Sequence, residues 1–237
     1  MTEDSSKTTL FRPWLWPALG LLVVSLVGLG AYLADELIEG ESWAIDQRLL
    51  MGLRVPGDLQ QPIGPHWLLQ AAIDVSALGG PTLRILFGGA GLAWLLYRRR
   101  RAEAGWIAVS LIGAALLSSV LKYAIGRPRP ELVPHLAYVT DPSFPSGHSL
   151  GSAALYLTLA LMLAEDAKSW AARIAIVGFG ALLVLLIGCS RVYLGVHWPS
   201  DVLGGWSFGA AWALAVYAAN RWLRRRRQGP KVTPGSH

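Results

Sequence analysis

The long apolar runs decide what this chain can fold into. Trp14 to Ala34 is an uninterrupted stretch without a charged side chain. At ~1.5 Å per residue it is long enough to cross the ~30 Å hydrocarbon layer of a bilayer as a helix. Comparable runs follow at Leu83 to Tyr97, Gly105 to Ile125, Ser149 to Ala164, Ile174 to Cys189 and Val202 to Trp222. In lipid, a helix satisfies every backbone donor and acceptor within one segment. The expected fold is therefore all-α: a polytopic membrane protein, a six-transmembrane-helix bundle, with residues 1–237 as one membrane-embedded domain. Residues 1–12 and 224–237 are polar and are expected to be disordered cytoplasmic tails. The second run is short and carries Arg84 near its outer end, so its helix is expected to begin earlier.

Composition agrees. With 53% hydrophobic residues, 15% charged and a mean hydropathy of +0.42, the chain lies outside the range of soluble domains. Its net charge of +6 and pI near 9.8 would suggest nucleic acid in a soluble protein. In a membrane protein the same excess follows from cytoplasmic loops collecting Lys and Arg, so no nucleic-acid partner is expected. A single cysteine, Cys189, excludes an intrachain disulfide and offers no Cys-based metal cluster.

Orientation follows from the cations. A cytoplasmic N-terminus puts Lys7, Arg12, Arg98 to Arg101, Lys168, Arg173, Arg221, Arg224 to Arg227 and Lys231 inside, 14 of the 21 Lys and Arg. Both termini are thus expected in the cytoplasm. Asp35 to His66 is polar, mostly acidic, and expected outside; Trp43 to Leu53 has apolar residues at helical spacing suited to the membrane surface. Gly205 and Gly209 are a small-xxx-small pair, read as intrachain packing.

This topology gathers three polar clusters on one membrane face. Lys122 and Arg129-Pro130 end the third run, Pro145-Ser146-Gly147-His148 opens the fourth, and Ser190 to Asp201 joins the fifth to the sixth. Ionisable residues at such depth are costly and tend to be kept for function. His197 and Asp201 are four apart, so the carboxylate can take a hydrogen bond from one imidazole nitrogen and leave the other as nucleophile or base. Ser146-Gly147 at a helix start offers free N–H groups to an anion. Lys122, Arg129 and Arg191 suit phosphate oxygens. Two histidines allow one to attack and the other to protonate a leaving oxygen. Metal ligation by two histidines and a carboxylate is a weaker reading, since the surrounding cations would repel the ion. Arg127 could assist the phosphate or sit in a solvated loop, and Asp74 and Arg84 could pair near the outer rim.

Lys122-x6-Arg129-Pro130, Pro145-Ser146-Gly147-His148 and Ser190-Arg191-x5-His197-x3-Asp201 resemble the three motifs of the PAP2 superfamily, the type 2 phosphatidic acid phosphatases. All eleven fixed positions are present in order. The resemblance implies a metal-independent lipid phosphatase without a cofactor, in a bacterial inner membrane, with its site on the extracytoplasmic side. It implies His197 as a nucleophile forming phosphohistidine, Asp201 as its orienting carboxylate and His148 as acid. It further implies Lys122, Arg129, Ser146, Gly147, Ser190 and Arg191 as holders of the phosphoryl oxygens. The substrates it allows include undecaprenyl diphosphate, phosphatidylglycerol phosphate and phosphatidic acid. Two alternatives stand beside it: a lipid phosphotransferase using the same site, and a non-catalytic lipid transporter or binding protein. Transporters place their sites near the midplane within inverted repeats. Here the ionisable groups cluster at helix ends on one side, and no repeat is visible.

Overall fold

Eight helices and one small hairpin make up the described residues, 15–38 and 44–227 of a computed structural model. They are α1 (Leu15–Ile38), α2 (Ala44–Met51), α3 (His66–Leu78), α4 (Pro81–Tyr97), α5 (Arg101–Ile125), α6 (Gly147–Asp166), α7 (Trp170–Tyr193) and α8 (Pro199–Arg227). The middle of α6, Ala153–Leu157, is a single π-turn. Five of these, α1, α5, α6, α7 and α8, are long and apolar enough to cross a membrane. The sixth expected span is α4, which has 17 residues. It does begin before Leu83, at Pro81, but Gly79 and Gly80 separate it from α3.

In lipid, apolar side chains can face outward at no cost, so burial tells which helices are interior. The apolar windows of α6 and α8 are 61% and 56% buried, against 17–22% for α1, α5 and α7. The two interior helices meet at the small-residue pair. A Cβ on Gly209 would lie 2.4 Å from the Leu150 carbonyl oxygen, and one on Gly205 2.8 Å from that of Ser146. Only glycine permits this approach, so the intrachain reading of the pair holds. Around this centre α1 packs along α8, α4 along α5, and α3 and α6 against α7.

Helix ends are set locally. Gly126, at φ 65°, takes the left-handed conformation that stops α5, and its N–H bonds the Lys122 carbonyl. The Ser146 hydroxyl accepts from Ser149 N–H at the start of α6, and that of Ser169 from Ala172 N–H at the start of α7. Pro199 opens α8, and the Asp201 carboxylate reaches back 2.9 Å to Trp198 N–H, the reciprocal half of a capping box.

Three local features add to or depart from the sequence reading. The polar stretch before α3 holds a two-stranded antiparallel hairpin, β1 (Arg54–Val55) with β2 (Asp58–Pro62), too short and too polar to show a strand pattern. Within the expected surface segment α2 is helical, turning Asp46 and Leu50 inward and leaving Ile45, Leu49 and Met51 exposed; Trp43 lies outside the described residues. Arg224 to Arg227 continue α8 instead of beginning a tail, because Arg224 pairs with Glu103 and Glu165 at the far end of the bundle. Residues 1–12 and 228–237 lie outside the described residues.

Candidate active site

One end of the bundle collects the three motifs. Lys122 comes from the last turn of α5, Ser146 to His148 from the start of α6, Ser190 and Arg191 from the last turn of α7, and His197 and Asp201 from the turn into α8. Backbone hydrogen bonds lock these pieces together. Ser146 N–H donates to the Asp201 carbonyl at 3.0 Å, Ser143 N–H to Arg127 at 2.8 Å and Leu136 N–H to Leu194 at 3.0 Å. The connection of residues 126–146, which has no regular structure, is thereby fastened over the site, as long functional loops usually are.

His197 and Asp201 are both essentially inaccessible. Nδ1 of His197 lies 3.4 Å from Asp201 Oδ2, a long contact of the kind that tightens when a ligand arrives. Ser143 Oγ sits between them, donating to the same carboxylate oxygen at 2.5 Å and lying 3.3 Å from Nδ1. The other ring nitrogen, Nε2, faces Arg129 Nη1 at 3.2 Å. A guanidinium has no acceptor, so Nε2 accepts, the ring proton belongs to Nδ1, and the Nε2 lone pair points into the cation cluster. Burial first, and the cations Arg129 and Arg191 second, push the imidazole down to about 4 against the opposing pull of Asp201. The ring is therefore neutral at pH 7.

The cations arrive partly engaged. Arg129 donates to the Val196 carbonyl at 2.6 Å and, through Nη2, to Asp141 Oδ1 at 2.7 Å. Lys122 Nζ lies 3.1 Å from Asp141 Oδ2 and donates to the Pro142 carbonyl. The Asp141 carboxylate thus spans the two cations from the solvent side. Burial alone would raise its carboxyl, but Lys122 and then Arg129 overcome that and hold it below the ordinary carboxylate value. Arg191 is buried and gives one N–H to Ser76 Oγ at 2.7 Å, while its Nε has no partner.

The structure brings Gly147 beside Lys122, whose Cε would lie 3.6 Å from a Cβ there. His148, on the first turn of α6, faces the α3–α4 connection: a Cβ on Gly80 would lie 3.7 Å from its Nε2. Two serines behave differently from the rest. The Ser190 hydroxyl donates to the Ile187 carbonyl of its own helix at 2.7 Å, and the Ser146 hydroxyl caps α6. The Ser190 proton is spent on that carbonyl, whereas Ser146 Oγ accepts from Ser149 N–H and Oγ and keeps its own O–H available to donate to a ligand.

Sequence reasoning missed the support behind His197. Arg127 donates to Asp201 Oδ1 at 2.6 Å, to Ser200 Oγ at 2.7 Å and to Asp46 Oδ2 at 2.9 Å. Asp46, fully enclosed, also accepts from Ser200 N–H at 2.9 Å and from its hydroxyl. The solvated-loop reading of Arg127 is therefore wrong. The Asp74–Arg84 pairing is absent as well, since Asp74 accepts from Gln70 at 2.9 Å on an exposed face. Buried, self-consistent polar sets of this kind persist only when every partner is supplied.

The PAP2 superfamily profile matches residues 103–225. Among curated proteins, the chain is 34% identical over 167 residues to phosphatidylglycerophosphatase B of Bacillus subtilis, covering 68% of this chain and 80% of the relative. It is 32% identical over 121 residues to an undecaprenyl-diphosphatase of Sulfolobus acidocaldarius, covering 49% and 54%. The crystal structure of a transmembrane PAP2-type phosphatidylglycerolphosphate phosphatase from Bacillus subtilis superposes with a TM-score of 0.72 at 28% identity, covering 86% of this chain and 98% of that one. With the three motifs assembled at one end of a membrane bundle, the chain belongs to the PAP2 superfamily and is a lipid phosphatase.

Proposed function

We propose that this enzyme hydrolyses a lipid phosphate or diphosphate at the extracytoplasmic face of the bacterial inner membrane, through a phosphohistidine on His197. The observation that carries the reading is the division of the His197 ring: Nδ1 is turned to Asp201, and Nε2 faces Arg129, which shares the Asp141 carboxylate with Lys122. In the first step the Nε2 lone pair attacks phosphorus, and the bond from phosphorus to the leaving oxygen breaks. His148 gives its proton to that oxygen, and the imidazolium formed on His197 is stabilised by Asp201. In the second step water attacks the phosphohistidine, His148 takes a water proton, the P–N bond breaks and inorganic phosphate leaves. Lys122, Arg129 and Arg191, with the N–H groups at the start of α6, balance the charge on the equatorial oxygens. The substrate class includes undecaprenyl diphosphate, phosphatidylglycerol phosphate and phosphatidic acid, because the site lies at a bundle end where headgroups sit.

The test is phosphate release by purified full-length protein in detergent, with EDTA present, from a panel of these lipids. Release from at least one supports the reading. Loss of activity with EDTA, restored by a divalent ion, overturns the metal-independent mechanism. Transfer of phosphoryl to a second lipid in preference to water identifies a phosphotransferase instead. Orientation is tested separately with single cysteines in a Cys189→Ala background. A membrane-impermeant thiol reagent should label position 138 in intact cells and leave position 99 unlabelled.

A further inference from the structure

Arg84 is a cation at the edge of the site with no carboxylate among the described residues to neutralise it. It sits one turn into α4, its N–H bonded to the Gly80 carbonyl at 3.0 Å. Its guanidinium fills the space beside Gly151: a Cβ there would fall 1.1 Å from Nη1. Gly151 is three residues beyond His148 on α6, so both lie on one helix face. Arg84 is accordingly among the charges close enough to act on the His148 ring. Its Nε is buried without a hydrogen-bond partner, and among the described residues no Asp or Glu pairs with it. Tyr156 also bears on it electrostatically, but its hydroxyl already donates to the Leu78 carbonyl at 2.6 Å. Arg84 is half-buried, and enclosing part of a guanidinium without a partner is costly; an anion would supply that partner.

The position indicates which anion. Arg129 faces His197 and shares Asp141 with Lys122, whereas Arg84 lies against Gly151, three residues beyond His148, the residue that protonates the leaving oxygen in the mechanism above. A planar guanidinium there suits a second phosphate. Resting on the phosphatase reading above, we propose that Arg84 forms a second anion subsite that binds a phosphate carried by the leaving group. A lipid diphosphate supplies this group as its inner phosphate. Phosphatidylglycerol phosphate supplies it as the phosphodiester of its headgroup. Phosphatidic acid has no such group.

The experiment compares kcat/KM of wild type, Arg84→Met and Arg84→Lys on farnesyl diphosphate, phosphatidylglycerol phosphate and phosphatidic acid, in one detergent. A charge-assisted contact of this kind corresponds to roughly 10- to 100-fold. Arg84→Met should lose that factor on one or both two-phosphate substrates, with a loss at least tenfold smaller on phosphatidic acid, and Arg84→Lys should recover part of it. Selective loss on farnesyl diphosphate identifies a diphosphate as the source, and selective loss on phosphatidylglycerol phosphate a headgroup diester. As a binding readout, Arg84→Met should weaken inhibition by methylenediphosphonate far more than inhibition by inorganic phosphate. Equal losses on all three lipids, or none on any, overturn the inference. A folded wild type inactive on all three would overturn the lipid-phosphate reading and the inference with it.

Discussion

Arg127 Nη1 lies 2.6 Å from Asp201 Oδ1, an enclosed ion pair directly behind the His197 imidazole. Arg127 is itself held by Asp46 at 2.9 Å, so a helix outside the motif region steadies the orienting carboxylate. Misplacing a catalytic group by about 1 Å can cost about 10²-fold in rate. Arg127→Gln should therefore lower kcat by about 10²-fold, with KM changed little, because Arg127 is spent on carboxylates rather than on substrate. Arg127→Lys should restore part of the rate. Asp46→Asn should be milder, since its carbonyl oxygen still accepts from Arg127 or Ser200. A raised KM with unchanged kcat in Arg127→Gln would make Arg127 a substrate ligand instead.

Asp141 bridges Arg129 at 2.7 Å and Lys122 at 3.1 Å. An incoming phosphoryl group competes with this carboxylate for the same two cations. Asp141→Asn removes the charge but keeps the shape, so KM should fall several-fold and vanadate inhibition should tighten. Kinetics at fixed detergent-to-lipid ratio check this. A higher KM would mean that Asp141 holds the cations in place for substrate.

The depressed His197 imidazole has a signed consequence. The folded ring stays neutral down to about pH 4, while the unfolded ring takes its proton near the ordinary value of ~6.5. Between those values the unfolded chain binds the proton that the folded site refuses, so this contribution to stability is lost as pH falls through the window. Ring NMR of labelled protein in detergent should place the His197 midpoint near 4. Asp201→Asn, which removes a group that raises it, should move it lower. A midpoint near 6.5 would show that burial does not keep the nucleophile neutral.

Much of this was readable without the structure, and the reason is local. Lys122, Gly147, His148, Arg191, His197 and Asp201 stand at the ends of apolar runs, so counting spans is enough to bring them to one face. The supports are not local. Asp46 reaches Arg127 across 81 residues and Ser200 across 154. No periodicity marks such a contact, and an acidic residue in a polar stretch looks like solvated surface. Ser143 was hidden for a similar reason, one serine in a proline-rich loop. Arg84 was misassigned because Asp74 looked available in the sequence, whereas α3 turns it to solvent. Ser190 stands at the same end of the bundle as the other motif residues, but its hydroxyl belongs to its own helix.

The role of His148 depends on the leaving group. A lipid alkoxide needs a proton far more than a nitrophenolate does, and general acid catalysis typically contributes ~10²–10⁴-fold. His148→Ala should lose that factor on a lipid phosphate and much less on an aryl phosphate in the same detergent. Asp201→Asn, acting through the His197 ring, should lose similar factors on both. Equal losses for His148→Ala on both substrates would remove it from the acid role.

The most direct test of the account is to trap the covalent intermediate. Enzyme mixed with phosphorus-labelled lipid phosphate is quenched within one turnover in alkaline denaturant, which preserves phosphohistidine, and the labelled peptide is sequenced by mass spectrometry. The account predicts an acid-labile phosphoryl group on Nε2 of His197, absent in His197→Ala and accumulating in variants slowed in the second step. Label on any other residue, or full turnover by His197→Ala, would contradict it.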